Sequence, residues 1–130
     1  YKVSATSPTL EVSIKLTGHH PDDVFCTGVQ KLDTDGSGFT DGCLAASWGT
    51  NAPDSKKPDI TETVGLAVAA DPVNVVGNKE TALDYLLLVR PDSLGEIRYR
   101  VLADGLRVEG GSATAEQWFA RVKDFFLSRK

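Results

Sequence analysis

The sequence predicts an α+β domain, an antiparallel sheet of about five strands with a C-terminal amphipathic helix packed on one face. Three observations lead there. Several short stretches alternate apolar and polar residues, the period of a strand buried on one side. The final stretch instead repeats its apolar residues at helical spacing. Twelve glycines and six prolines cut the remainder into segments too short for a helical bundle.

At 130 residues the chain has the size of one domain, so residues 1–130 are read as a single unit. A chain this long buries about two-thirds of its unfolded surface and needs neither metal nor disulfide to fold.

The first element is "TLEVSIKL", Thr9 to Leu16, where Leu10, Val12, Ile14 and Leu16 face one way and Glu11, Ser13 and Lys15 the other. "HHPDDVFCTGVQKL" reads two ways. Pro21 with Asp22 and Asp23 suits a helix start, whereas Gly28 and the β-branched residues favour a strand. "KLDTDGSGFTDGC", Lys31 to Cys43, reads as a polar, glycine-rich connection. "NAPDSKKPD", Asn51 to Asp59, is a loop within the domain: it has two prolines and no apolar run. Glu62 to Ala70 reads as a strand, and Glu80 to Arg90 as a doubly buried strand, or a helix passing into one, closed by Pro91.

In "GEIRYRVLADGLRVEGG" the pair Asp104-Gly105 has the chemistry of a two-residue hairpin turn. Folding there would oppose Ala103 to Leu106, Val101 to Val108 and Arg100 to Glu109. It would also place Arg98, Arg100 and Arg107 on one face, suited to an anionic partner. The last segment, "SATAEQWFARVKDFFLSRK", is the helix. Ser112 or Thr114 caps it, Glu116 meets the positive end of its dipole, and Arg129 and Lys130 complement its C-terminal end. Trp118, Phe119, Val122, Phe125 and Phe126 form a stripe that packs on the sheet.

Apolar residues at 41% and charged residues at 25% are globular values and exclude a disordered chain. The net charge of −4 is unevenly spread: all six arginines lie in residues 90–130, while residues 1–89 carry twelve acids against six lysines. That balance argues against a nucleic-acid binder. The run Leu86 to Val89 falls far short of the ~20 apolar residues of a membrane helix. No signal peptide is read in the sequence; the start at Tyr1 and the lack of methionine are read as removal or trimming of upstream residues.

Cys26 and Cys43 are the two cysteines and bracket the most loop-like stretch. A disulfide between them would stabilise the fold by roughly 3 kcal/mol and implies an extracytoplasmic, secreted or periplasmic, setting. The stretch from Asp33 resembles the first nine positions of an EF-hand calcium loop, with Asp33, Asp35, Ser37 and Asp41 as oxygen ligands. Position twelve is Leu44 where a bidentate glutamate belongs, so only weak calcium binding is expected. His19, His20, Asp22 and Asp23 lack the further converging ligands of a zinc site. No nucleophile elbow, metalloprotease helix, phosphate loop or dinucleotide fingerprint is present, and nothing orients a base for Cys26, so no catalytic residue and no cofactor beyond calcium is assigned.

Two function classes follow. One is a non-enzymatic, inhibitor-like binding domain whose partner is another protein. The other is a self-assembling coat or shell subunit, a homodimer at least, with its arginine face on RNA or another anionic partner.

Overall fold

A computed structural model of the chain describes residues 2–3, 9–32 and 34–127, with the backbone alone for residues 2, 3, 34 and 35. Its elements in chain order are β1 (Lys2–Val3), β2 (Thr9–Lys15), β3 (Phe25–Gln30), β4 (Thr34–Asp41), β5 (Leu44–Asn51), β6 (Glu62–Ala70), β7 (Val75–Glu80), β8 (Asp84–Val89), β9 (Glu96–Gly105) and α1 (Ala115–Leu127). They build two antiparallel sheets. The larger has the order β1-β2-β9-β6-β5-β4 and the smaller β3-β8-β7.

The alternation of β2 is what sets its register against β9. Leu10 lies opposite Val101, Val12 opposite Tyr99 and Ile14 opposite Ile97, so both strands turn their apolar side the same way. β6 pairs with the other edge of β9 in the same sense, Val68 opposite Val101 and Leu66 opposite Ala103. This apolar face meets the small sheet. Ala45, Val68, Ala70 and Ile97 from the large sheet pack with Val29, Tyr85, Leu87 and Val89 from the small one.

The opposite face of the large sheet carries the helix. Trp118, Val122 and Phe126 of α1 are buried against Leu44, Ala46, Trp48, Ala67, Ala69 and Leu102. Phe119 and Phe125 are partly buried beside them. The molecule is therefore three layers, helix, large sheet and small sheet, with a core in each gap. β5 and β6 are buried on both sides, which is why alanine and glycine recur in them: short side chains let layers on both faces approach. A side chain at Gly65 would run into the Trp118 ring, and one at Gly38 into the Tyr85 ring.

The helix begins as its sequence suggests. Thr114 Oγ1 accepts from Gln117 N at 3.2 Å, and Gln117 Oε1 in turn accepts from Ala113 N at 2.9 Å. This is a capping box displaced by one residue at its second bond. Arg129 and Lys130 lie outside the described residues.

Three expectations are corrected. The hairpin at Asp104-Gly105 does not form. β9 runs on through Gly105, and both its edges are already taken by β2 and β6, leaving no place for a strand at residues 106–111. Leu106 and Val108 are exposed instead. The Lys31–Cys43 segment is not a loop but mostly the edge strand β4, bulged between Thr34 and Ser37 and joined to β5 through Gly42 at φ 55°. Of its glycines, Gly42 makes the turn, while Gly38 allows close approach to Tyr85 of the small sheet. Finally, Cys26 and Cys43 are free thiols. Cys26 points outward from β3 on the far side of the small sheet, whereas Cys43 belongs to the β4–β5 turn of the large one. With sheets about 10 Å apart, a bridge cannot span the sandwich. The expected α+β architecture, antiparallel sheet with the C-terminal helix on one face, is the one observed, and β3, β8 and β7 form a second antiparallel sheet over the other face.

Candidate functional site

The helix is narrower than the sheet beneath it. It packs over β5 and β6 and leaves the same face of β2 and the first half of β9 uncovered. The polar positions of β2 predicted from its alternation, Glu11, Ser13 and Lys15, are exposed there. Across the ladder they meet Arg100, Arg98 and Glu96 respectively. The C-terminal end of α1 overhangs this patch through Phe126 and Leu127, forming an open groove of about 1020 Å³. Ala69, Asp71, Pro72 and Cys43 close its other side.

The two groove arginines differ in their surroundings. Arg98 is ion-paired to Glu96 on its own strand, and that bond holds its pKa above the ordinary guanidinium value. Arg100 lies over an aromatic ring, its Cζ 5.2 Å from the Phe126 centroid. Arg107 does not join them. It sits past the far end of β9, about 17 Å of strand beyond Arg100 at Gly105, and pairs with Glu62 at 2.9 Å. The expected three-arginine face therefore reduces to two residues, because the turn that would have returned Arg107 is absent.

Behind the helix start is a buried charge. Asp104 Oδ2 accepts from Ser112 N and Ser112 Oγ, each at 2.8 Å, and from Arg121 Nη1 at 2.7 Å, while Oδ1 accepts from Gly105 N at 2.8 Å. Burial pushes this carboxyl up, but the bonds from Ser112 and Gly105 and the Arg121 charge outweigh it and hold it below its ordinary value. This cluster ties the end of β9 to the start of α1 and hence sets where the helix lies.

Of the calcium-loop residues, Asp33 lies outside the described residues and the Asp35 side chain with it. Ser37 and Asp41 both belong to β4, with about 13 Å of extended chain between them, so the strand does not bring these two together. His20, Asp22 and Asp23 form a self-contained exposed turn: Asp23 Oδ2 accepts from His20 N at 2.7 Å and His20 Nδ1 from Asp22 N at 3.2 Å. His19 is packed beside Gly95. No group of three or more His, Cys, Asp or Glu side chains converges among the described residues. Likewise, none of the described helices is long and apolar enough to cross a membrane.

Glu11 and Ser13 entered the sequence analysis only as the polar side of a strand and Phe126 only as part of the helix stripe, none of them as part of a groove. Their signal was present as strand and helix periodicity, but their meeting depends on which strand lies beside β2. No family model, no curated protein and no solved structure matches the chain.

Proposed function

We propose that the protein is a binding domain and that the groove between α1 and the open half of the large sheet is its contact surface for another protein. The observation that carries this reading is the groove itself: about 1020 Å³, with a charged floor from β2 and β9 and an aromatic overhang at Phe126. Its volume matches the upper range of ligand sites, and its combination of one aromatic wall and a few polar groups is the composition such sites use. The core shared with the small sheet backs the floor strands β2 and β9 on their apolar face, which favours recognition without reorganisation.

The coat-like reading is supported less well. Arg98 and Arg107 each have a carboxylate partner, and the arginines are dispersed rather than gathered. The extracytoplasmic setting was inferred from the disulfide, so with two free thiols the proposal carries no compartment.

Light scattering with the absorbance ratio of the purified chain tests the choice. A monomer free of nucleic acid is expected. A multimer that co-purifies with RNA would replace this reading by the shell subunit.

A further inference from the structure

Resting on the binding reading, we propose that the groove seats an extended segment of a protein partner in which a carboxylate stands beside a basic group, with Arg100 taking the carboxylate and Glu11 the base. The Arg100 guanidinium lies over the Phe126 ring and makes no ion pair or side-chain hydrogen bond among the described residues. Arg98, Arg107 and Arg121 are each matched to a carboxylate. A cation–π contact leaves the N–H donors of a guanidinium available, since the ring attracts the charge without accepting those donors as a carboxylate does. The fork these donors form fits the two oxygens of a carboxylate.

Glu11 is the residue directly opposite Arg100 on β2; its other ladder neighbour is Lys2 of β1, of which the backbone alone is described, and Glu11 has no ion pair or side-chain hydrogen bond among the described residues. On its other side Arg100 lies opposite Ala69, whose short side chain leaves space over β6 below Phe126 and Leu127. The groove thus offers a cation and an anion a single strand spacing apart, neither of them ion-paired among the described residues, with room beside them. A uniform polyanion would meet Glu11 and Asp71, both of which line the groove. The complement is a segment carrying both signs.

The test is fluorescence anisotropy of the full chain with short labelled peptides of alternating Glu and Lys, and with all-Glu, all-Lys and single-stranded RNA probes. The mixed peptide should bind best. Arg100→Gln should weaken it about tenfold or more, the loss expected for a charge-assisted pair. Arg100→Lys should weaken it less, and Glu11→Gln should remove the preference over the all-Glu peptide. Arg107→Gln, outside the groove, should change nothing. Ser13→Trp, which fills the groove from an exposed strand position, should abolish binding without moving the thermal midpoint. Mixed-peptide binding blocked by Ser13→Trp but indifferent to Arg100→Gln would overturn this assignment and leave the binding groove standing. RNA bound in preference to every peptide and lost in Arg100→Gln would overturn it in favour of a phosphate polymer. Absence of peptide binding at about 1 mM, the weak limit of specific recognition, would also overturn it, whereas the light-scattering result bears on the broader reading independently.

Discussion

Asp104 is nearly enclosed yet remains ionised, since four donors converge on its two oxygens. Replacing it by alanine strands the Ser112 and Gly105 donors and one face of Arg121. Leaving such groups unmatched costs about 1–3 kcal/mol apiece when buried, so Asp104→Ala should lose about 3 kcal/mol in denaturant titration, part being recovered by water at the exposed Arg121. The carboxyl is held lower in the folded state than in the unfolded chain. Its contribution is therefore present above the unfolded value near pH ~3.9 and disappears as pH falls through the folded value. Wild-type stability should drop in that acid window, and Asp104→Asn should drop less steeply there. An identical acid slope in both would show that other carboxylates govern it. At Ser37 and Asp41 the spacing along β4 leads to a different expectation: calorimetry should find calcium bound no tighter than ~0.1 mM.

At the scale of the element, α1 is held by one aromatic residue above all. Trp118 is fully buried, its ring rests against Gly65, and its Nε1 donates to Ser47 O at 2.9 Å. Trp118→Ala should cost ~3–5 kcal/mol, a large part of what a domain of this size has. Gly65→Ala should cost about 1–3 kcal/mol through overpacking against the same ring. Because the two residues touch, their effects should couple: in a Trp118→Phe background the added methyl at Gly65 should cost less than in the wild type. Additive losses from the two changes would mean that Gly65 is required by the strand and not by the ring. The stripe that sequence periodicity assigned to the helix is the buried one, with Trp118, Val122 and Phe126 innermost. What periodicity did not show is that Phe126, at its end, would also overhang a groove.

For the whole molecule, layering explains both the fate of the cysteines and the position of the groove. Cys26 faces outward from the small sheet and is exposed, while Cys43 is half-buried at the β4–β5 turn. Thiol titration of the native protein should find Cys26 reacting first, and denatured protein without reductant should give two thiols per chain. Zero thiols would require an alternative fold in which the outer face of β3 meets that turn. The groove exists because one helix of thirteen residues covers a face six strands wide.

Local pattern by itself determined the large sheet's strands β2 and β6, the helix and its cap, and the side of each that is buried. Thr9–Lys15 and Glu62–Ala70 alternate or carry the small and β-branched residues of a buried strand, and Trp118 to Phe126 repeat at helical spacing, so their burial follows from their own periodicity. Strand partners were decided by the tertiary structure alone. The apolar face of Ile97, Tyr99 and Val101 was legible, but that face can pair equally well with a following hairpin strand or with β2 and β6. A turn signal such as Asp104-Gly105 biases the choice only slightly, by about 1 kcal/mol or less, whereas two full ladders and two cores bury many side chains at ~1.5–3 kcal/mol each. The same competition made a strand of the glycine-rich Thr34–Asp41 segment, where the missing side chain of Gly38 lets Tyr85 of the small sheet come close. It also decided the site: Glu11 and Arg100 are eighty-nine residues apart in sequence and become neighbours because β9 lies beside β2.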